Sequence, residues 1–542
     1  MAMFLNSNSM FVGKRFLIVD DFQGMRGMLR EMLKSFGAKD IDMAANGKEA
    51  IVCLEKNKYS AVLCDYNLGI GKNGQQVLEE AKCRDLIGLA TAWIIISAEK
   101  TSDMVVGAAE YMPDDYIIKP VTEAALRSRV EKVMTKKVAL HDIEKAISTK
   151  NFARAIALCD EALSASKANA TDLLRIKTNL LLNMGNYDQA RQVFEKILAV
   201  RDVPWARTGL AKVAFYSNDA ATAQRLLQEL LKENPAYLEA HDLLAKIYES
   251  QGNLEEAQRV LARSTALSPN SYIRQRSFGE IAHKRGDLEA AEHAYRKSIK
   301  LGEFSVLKTP VAHLGLAKLC SAKDNPVEAL QILKSVGKEF NDQETNFHAK
   351  VVEGMVHRKS GDYVAAGKAA KEIAEIVQRD KNSLPAGTMI EAAQLLLETG
   401  NKEVAESLVQ NIVKNNHENK ELIAQVNEVY SQAGMVDEGQ KLVETARKEV
   451  VDANNRGVTL AKEGKLDEAI EWLRNARNML PNNKRILINL ANVAVLSMNK
   501  NGRNDTSVQE VRECVEKVAK LDPDEKWCAQ IQNALDALPK SK

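Results

Sequence analysis

The stretch VLCDYNLGIGKNG, residues 62–74, carries a short apolar run up to a carboxylate and then into a loop that contains glycine. Asp and Gly favour turns, so Asp65 could simply begin a turn. Alternatively, Asp65 could be a reactive carboxylate at the carboxyl end of a parallel strand. The surrounding chain has to distinguish these two interpretations.

Up to about residue 135, short apolar runs alternate with amphipathic segments. The runs are residues 16–19, 61–64, 93–96 and 116–118, with a weaker one at 41–43, and helix-like stretches cover 24–36 and 47–56. Strands that are apolar on both faces and alternate with helices predict a parallel sheet covered on both sides. In such α/β folds, ligands bind at the carboxyl ends of the strands.

Beyond residue 135 the strand pattern stops and a repeat begins, G-[ND]-[aromatic or Leu]-x-x-A, as in residues 185–190. Clear and degenerate copies end at Ala155, Ala190, Ala223, Ala257, Ala291, Ala329, Ala366, Ala405, Gly439 and Ala469, 30 to 39 residues apart. A glycine ends one helix in a left-handed cap, and a small residue lets the next helix approach closely. Single pairs cannot bury their apolar faces alone, so the pattern predicts a stacked helical solenoid.

The composition of the 542-residue chain restricts its function. Lys and Arg (75) balance Asp and Glu (73) to a net charge of +2, which gives no electrostatic reason to expect nucleic-acid binding. The seven cysteines include no CxxC pair, which fits a reducing compartment. The N-terminus lacks the features of a secretory signal, and apolar runs stay short of a membrane span. We therefore expect a cytoplasmic protein with several domains and no membrane segment.

Polar side chains follow the predicted strands where they end: Asp20 and Asp21, Asp65, Ser97 and Lys119. Each alone is an ordinary cap or surface residue, but parallel strands would bring them to one edge. Clustered carboxylates need a cation, and an oxygen-only set suits Mg²⁺. Lysine and serine can stabilise a phosphoryl group, and a carboxylate beside them can attack phosphorus. The residues therefore predict a site that forms an aspartyl phosphate on the protein itself.

The motifs FLIVDD, AVLCDYNLG, IIISAE and DYIIKP, in this order, resemble the receiver domain of two-component response regulators over residues 14–135. The resemblance implies a flavodoxin-like sheet of five parallel strands in the order 2-1-3-4-5. It implies that Asp65 is the phosphoacceptor, that Ser97 and Lys119 contact the phosphoryl group, and that Tyr116 is the aromatic switch. It also implies a usually cis Lys119–Pro120 bond. By the same resemblance, Mg²⁺ is held by Asp20, Asp21, Asp65 and the backbone carbonyl of Asn67.

Two features depart from the common receiver pattern. The loop that begins at Asn67 is longer and richer in glycine than usual, and Ser97 replaces the commoner threonine. Both changes keep the groups that phosphorylation requires. A degenerate receiver that is not phosphorylated is the alternative.

Residues 136–523 resemble about ten tetratricopeptide (TPR) helix pairs, which implies an all-α superhelical solenoid. We expect an N-terminal extension at 1–13, a receiver at 14–135, the repeats at 136–523, and a capping helix with a tail at 524–542. Residues 121–151 contain neither Gly nor Pro. We therefore expect a rigid joint between receiver and repeats rather than a flexible linker.

These resemblances imply a signalling adaptor that is not an enzyme beyond its own phosphorylation and dephosphorylation. A sensor histidine kinase or phosphotransfer protein would phosphorylate it, the receiver face around the fifth strand would change shape, and the solenoid would bind another protein or peptide. Arg175, Asn179, Trp205, Lys212 and Lys246 are predicted to bind an acidic or carboxylate-ended peptide, the alternative being a solvated helix face. A constitutive scaffold remains the alternative function, RNA binding is disfavoured by charge and sparse aromatics, and a homodimer is possible.

Overall fold

The structure, a computed structural model, describes residues 10–98, 113–138, 140–165, 169–379, 384–522 and 527–538. The chain divides into two compact units, Met1–Ala312 and His313–Lys542. The first unit contains a β-sheet followed by helices. In the described part of the second unit the regular structure is helical throughout.

The first unit begins with five strands: β1 Arg15–Val19, β2 Asp40–Ala44, β3 Ala61–Asp65, β4 Ala92–Ser97 and β5 Asp115–Ile118. Every neighbouring pair is parallel, and the order in the sheet is β2-β1-β3-β4-β5. This order confirms the predicted flavodoxin-like fold. Because all strands run the same way, their carboxyl ends share one edge of the sheet.

Four helices accompany this sheet: α1 Gln23–Ser35, α2 Gly47–Lys56, α3 Gly74–Cys83 and α4 Glu123–Val138. Side chains of α1 and α4, such as Leu29 and Leu126, pack on one face, and those of α2 and α3 pack on the other. Strands β3 and β4 are buried along their whole length, as apolar runs covered on both faces should be. Residues 99–112, which belong to the face predicted to change shape, lie outside the described residues.

Phe11 lies within the stretch that the sequence sets apart as an N-terminal extension. Its ring is fully buried and packs against Phe16 and Phe36, with centroids 5.7 and 5.3 Å apart. The end of that stretch therefore contributes to the core beneath β1.

The remainder of the described part of the first unit consists of helices joined by turns and loops. They are α5 His141–Ser148, α6 Phe152–Ala165, α7 Ala170–Asn183, α8 Tyr187–Val200, α9 Pro204–Tyr216, α10 Ala220–Glu233, α11 Leu238–Ser250, α12 Leu254–Leu267, α13 Tyr272–Arg285 and α14 Leu288–Leu301. The next helix, α15 Val311–Ala322, begins at the boundary between the units.

The second unit continues the helical series. Its helices are α16 Pro326–Glu339, α17 Gln343–Lys359, α18 Tyr363–Arg379, α19 Ala386–Glu398, α20 Lys402–Asn415, α21 Lys420–Gln432, α22 Val436–Lys462, α23 Leu466–Met479, α24 Lys484–Asn501, α25 Asp505–Leu521 and α26 Trp527–Asp536. Among the described residues, none of the helices in either unit has the length and apolar character that crossing a bilayer requires.

The repeat motif builds the turn inside each helix pair. Nine of the ten small residues that end the copies are alanines with no exposed surface, and the tenth, Gly439, is also buried. A side chain added at Gly439 would collide with the ring of Tyr430. The small residue is thus a steric requirement of close helix approach, as predicted.

Helix α22 differs from the other repeat helices because it runs for 27 residues without a break. Its first part is the second helix of one pair, and its last part precedes α23 as the first helix of the next. The shortest spacing in the repeat, between Gly439 and Ala469, falls on this helix. After α25, helix α26 buries Ile531 and Leu535 against the core of the last helices, in the region where a capping helix is expected.

Candidate functional site

The predicted site residues lie at one edge of the sheet. Asp20 follows β1, Asp65 is the last residue of β3, Ser97 is the last residue of β4, and Lys119 follows β5. Asp20, Asp65 and Ser97 are only 1, 7 and 2% exposed. Burying a carboxylate costs free energy unless it is paired, so their surroundings have to supply partners.

Lys119 supplies that partner to both carboxylates. Its Nζ donates to Asp20 Oδ2 at 3.0 Å and to Asp65 Oδ2 at 2.7 Å. The backbone N–H of Lys119 donates to the Ser97 carbonyl at 2.8 Å, which continues the pairing of β4 with β5. The Lys119–Pro120 peptide bond is cis, as the resemblance implies.

Burial and hydrogen bonding act in opposite directions on the pKa values of Asp65 and of Lys119. Burial raises the pKa of the Asp65 carboxyl, and the nearby Asp20 charge acts in the same direction, while Lys119 and the Asn67 N–H act to lower it. Burial acts to lower the pKa of Lys119, but its hydrogen bonds to Asp65 and Asp20 outweigh burial and raise it. Lys119 therefore stays charged beside a carboxylate that is costly to keep ionised.

Asp20, Asp21 and Asp65 together offer oxygen ligands to a cation. One carboxylate oxygen of each lies within 4.8 Å of the other two, with Asp21 exposed to solvent. The Asp20 side chain is oriented by the Phe22 N–H, which donates to Oδ1 at 2.9 Å, and Arg26 donates to the Asp20 carbonyl at 2.6 Å. An oxygen-only set with an open, exposed side fits Mg²⁺, which retains several waters.

The other predicted residues lie around this cluster. The Asn67 N–H donates to Asp65 Oδ1 at 3.4 Å, so residue 67 is adjacent to the carboxylate. Tyr116 lies on β5, and its buried hydroxyl has no hydrogen-bond partner in the described part of the chain. A buried hydroxyl without a partner is costly, which suits a side chain that has more than one position.

The glycine-containing loop after Asp65 is anchored to α3. Lys72 forms an ion pair with the buried Glu80 of that helix. Asn73 and Gln76 form a capping box, in which the Gln76 N–H donates to Asn73 Oδ1 at 2.9 Å and the Asn73 N–H donates to Gln76 Oε1 at 3.1 Å. No signal in the sequence indicated the Lys72–Glu80 contact. The capping box had a recognisable one, because an Asn three residues before a Gln is typical of a helix N-terminus.

The residues predicted to bind a peptide lie on the first helices of successive pairs. Arg175 and Asn179 are on α7, Trp205 and Lys212 on α9, and Lys246 on α11. The Arg175 guanidinium covers the Trp205 ring at 5.1 Å, and Lys212 forms an ion pair with Glu239 at 2.7 Å. Lys246 lies 5.9 Å from the centroid of a phenylalanine ring. A carboxylate ligand would therefore compete with Glu239 for Lys212.

In the second unit, α15, α17 and α19 bring together a polar cluster that the sequence did not reveal. Glu391 accepts from Lys318 Nζ at 2.6 Å and lies 3.2 Å from His348 Nε2. Burial acts to raise the pKa of Glu391, yet these two partners lower it to about 2. Together, Lys318, His348 and Glu391 join three successive first helices of the solenoid.

Comparison with known proteins finds family matches in two segments of the chain. Residues 16–131 match the response regulator receiver domain, and residues 214–277 match the tetratricopeptide repeat. Chemotaxis protein CheY-3 of Vibrio cholerae is 29% identical over 22% of this chain and 90% of its own length. Chemotaxis protein CheY of Pseudomonas aeruginosa is 26% identical over 22% of this chain and 94% of its own length.

Solved structures also match about a fifth of this chain. Response regulator protein TrrA from Thermotoga maritima is 28% identical, covers 22% of this chain and 98% of its own, and has a TM-score of 0.20. Chemotaxis protein CheY4 of Vibrio cholerae is 19% identical over 22% of this chain and 98% of its own, with a TM-score of 0.21.

The sheet and the family matches define the class: a response regulator receiver domain at the N-terminus, followed by a region of tetratricopeptide repeats. A receiver domain indicates phosphorylation-based signalling through a kinase or phosphotransfer partner, and a tetratricopeptide region suggests interaction with a protein. This arrangement resembles a non-catalytic signalling regulator.

Proposed function

We propose that the protein is a cytoplasmic response regulator in which phosphorylation of Asp65 controls how the solenoid binds a partner protein. The observation that carries the proposal is the position of Lys119, whose Nζ joins Asp20 and Asp65 at the carboxyl edge of the sheet. A fixed cation beside a buried carboxylate is the arrangement that a phosphoryl group on that carboxylate requires.

The phosphoryl donor is the phosphohistidine of a sensor kinase or phosphotransfer protein. An Asp65 carboxylate oxygen attacks phosphorus, and a new O–P bond forms as the P–N bond of the phosphohistidine breaks. The imidazole nitrogen takes the electron pair of that bond and then a proton from water. Lys119 balances the negative charge on the transferred oxygens, and the Ser97 hydroxyl donates to one of them.

Asp20, Asp21, Asp65 and the carbonyl of Asn67 would hold Mg²⁺. When bound, this cation supplies charge neutralisation at the phosphoryl oxygens. Tyr116 supports the proposal as the residue that responds, because its buried hydroxyl lacks a hydrogen-bond partner within the described residues. Hydrolysis of the acyl phosphate by water restores the carboxylate, so the protein acts on itself rather than on a separate substrate.

The solenoid is the output. Arg175, Asn179, Trp205, Lys212 and Lys246 offer a mixed cationic and aromatic surface on adjacent first helices, and an acidic or carboxylate-ended peptide is the ligand that fits it. Binding such a peptide has to displace the Lys212–Glu239 ion pair. Dimerisation of the receiver is a further outcome that the phosphorylated state can favour.

Phosphorylation is tested with acetyl phosphate and Mg²⁺ on the full chain. We expect the wild type to gain one phosphoryl group by intact mass, in a form that hydroxylamine removes, and Asp65→Asn to gain none. Asp188→Asn makes the same chemical change at an exposed position on α8 and should be phosphorylated like the wild type. Labelling of Asp65→Asn at the wild-type level would overturn the assignment.

A constitutive scaffold is the competing function, in which the receiver serves only for docking. Capture of partner proteins distinguishes the scaffold from phosphorylation control. The samples compared are the wild type, Asp65→Asn, and the wild type with Mg²⁺ and beryllofluoride. Phosphorylation control predicts that the beryllofluoride-treated protein and Asp65→Asn differ in the amount of partner retained. Equal retention in all three samples supports the scaffold.

A further inference from the structure

The segment 302–310, which connects α14 to α15, is longer than the turns that join the preceding helix pairs. One side of this segment is held by α13. The hydroxyl of Tyr272 accepts from the Thr309 N–H at 2.7 Å, and Arg276 Nη1 donates to Thr309 Oγ1 at 3.4 Å. Gly302 packs so closely on Tyr272 that an added Cβ would lie 2.8 Å from the ring.

The other side of the same segment contacts the receiver. The Ser305 hydroxyl donates to the Glu79 carboxylate of α3 and accepts from the Leu307 N–H at 3.1 Å. Gln76 Nε2, one turn earlier on α3, donates to the carbonyl of Leu301 at 3.4 Å. That carbonyl belongs to the last turn of α14, where helical partners are lacking.

This contact is buried and polar, which makes it sensitive to small movements. Glu79 is 6% exposed and Ser305 is 4% exposed. A carboxylate that has lost most of its water depends on the hydrogen bonds that remain, and losing one costs more than a surface bond is worth. A displacement of α3 by a fraction of the bond length would therefore weaken the contact.

Helix α3 is in turn joined to the phosphoacceptor strand. The Gly74 N–H donates to the Tyr66 carbonyl at 2.8 Å, and a Cβ on Gly74 would overlap the carbonyl oxygen of Asp65. The Lys72–Glu80 ion pair fixes the intervening loop to the middle of the helix. The start of α3 cannot shift without moving the peptide of Asp65 or the loop that follows it.

We propose that residues 302–310 form a latch on α3 of the receiver, and that modification of Asp65 opens this latch. The inference rests on the proposed phosphorylation of Asp65 and adds a route by which it reaches the repeats. The closed latch accompanies the pairing of Lys119 with Asp65. Modification of Asp65 ends that pairing in its present form and breaks the hydrogen bond from the Asn67 N–H to Asp65 Oδ1. The loop and α3 then move, and the Ser305–Glu79 bond breaks.

The coupling is reciprocal, because two linked equilibria change each other by the same factor. If loading of Asp65 opens the latch, a variant with a weakened latch must load more readily. Ser305→Ala removes the donor and changes no residue of α3. Glu79→Gln keeps the volume and a weaker acceptor, so its effect should lie between that of the wild type and that of Ser305→Ala.

The experiment loads the full chain with Mg²⁺ and beryllofluoride, and measures bound fluorine by ¹⁹F NMR together with amide hydrogen exchange. We expect exchange within 302–310 to accelerate about five-fold or more on loading of the wild type. We expect Ser305→Ala to lower the beryllofluoride concentration for half-loading by a similar factor. Ser217→Ala, an exposed serine after α9, is the matched control and should leave both measurements unchanged.

The two readouts separate failure of the latch from failure of the proposed function. Absence of a bound fluorine signal in the wild type means that Asp65 is not loaded, and the proposed function fails with it. A bound signal with unchanged exchange in 302–310 overturns the latch alone. A half-loading concentration that is the same in Ser305→Ala and the wild type overturns the coupling even if the latch opens.

Discussion

Single residues decide the electrostatics of this protein where polar groups are buried. Lys119 makes it possible for Asp20 and Asp65 to lie side by side, and the hydrogen bonds raise its own pKa against the effect of burial. Removing one member of such a group leaves an uncompensated buried charge, which typically costs about 3–5 kcal/mol. The strand-end carboxylates are therefore stable only as a set with their lysine.

His417 shows the same dependence in the second unit. Asn483 Nδ2 donates to the Lys414 carbonyl at 2.6 Å while its Oδ1 accepts from the Ile486 N–H at 3.0 Å, so the orientation of this amide is fixed. Nδ2 also lies 3.2 Å from Nδ1 of His417, which must accept. His417 is buried and is neutral when it makes this bond. Protonation would place two donors against each other.

We therefore predict that protonation of His417 destabilises the second unit. Burial lowers the pKa of His417, with Arg447 and Arg485 acting in the same direction and Glu418 opposing them. A lowered folded-state pKa means that the unfolded chain binds more protons, so stability is complete above the ordinary pKa of about 6.5 and is lost as the pH falls below it. The expected loss is about 1–3 kcal/mol.

Urea denaturation of the wild type and His417→Gln at pH 7.5 and pH 5.5 measures this loss. The free energy of unfolding of the variant should be about 1 kcal/mol lower than that of the wild type at pH 7.5. On acidification it should fall by less than that of the wild type. His141→Gln, at an exposed position on α5, is the control and should keep the pH dependence of the wild type. Identical pH dependence in wild type and His417→Gln would contradict the prediction.

At the scale of helices, every copy of the repeat needs a left-handed residue at one position. The residue five before the final Ala or Gly has positive φ in all ten copies: Lys150, Gly185, Asn218, Gly252, Gly286, Asp324, Gly361, Gly400, Gly434 and Gly464. Glycine adopts this conformation without strain, whereas a side chain with a Cβ costs about 1–2 kcal/mol. The three copies without glycine, at Lys150, Asn218 and Asp324, keep the turn and accept this cost.

We predict that Lys150→Gly stabilises the first helix pair by about 0.5–1 kcal/mol. The substitution relieves a φ of 57°, and the greater entropy of glycine in the unfolded chain offsets part of the gain. Asn218→Gly should gain less, because asparagine tolerates the left-handed region better than lysine. Thermal unfolding of the three proteins gives the comparison, and destabilisation by Lys150→Gly would contradict it.

At the scale of the molecule, the receiver and the first helix pairs form one compact unit. Glu144 of α5 accepts from the Ala90 N–H at 2.6 Å, and Asn169 donates to the Lys136 carbonyl at 3.3 Å. Lys137 pairs with Asp114 at 2.7 Å. The helix that ends the receiver is thus held by contacts on both sides of the joint.

We predict that trypsin cleaves slowly after Lys136 and Lys137 in the native protein. Both residues lie in α4, and cleavage requires local unfolding of a helix that these contacts stabilise. The same bonds in the urea-denatured chain are the control and should be cleaved at the ordinary rate. Rapid cleavage of the native chain at this joint would show a flexible linker instead.

The sequence by itself determined that the protein has an α/β part followed by a part built from helical repeats. Apolar runs that end in Asp20, Asp65, Ser97 and Lys119 predicted a parallel sheet and the edge that collects these residues, because the carboxyl ends of parallel strands lie together. The strand order was implied by the resemblance to receiver domains. Gly or its substitute, followed by a small residue, predicted the helix pairs, because both requirements are local and steric. Both patterns depend only on residues that lie close together in the sequence.

The tertiary structure decided the contacts between distant segments. Nothing local to Ser305 indicates Glu79 as its partner. The Lys318–Glu391 ion pair and the contact of Asn483 with His417 are likewise set by how the helices stack. A buried polar pair is selected by the position of two backbones, and position is a property of the whole packed chain rather than of any short stretch.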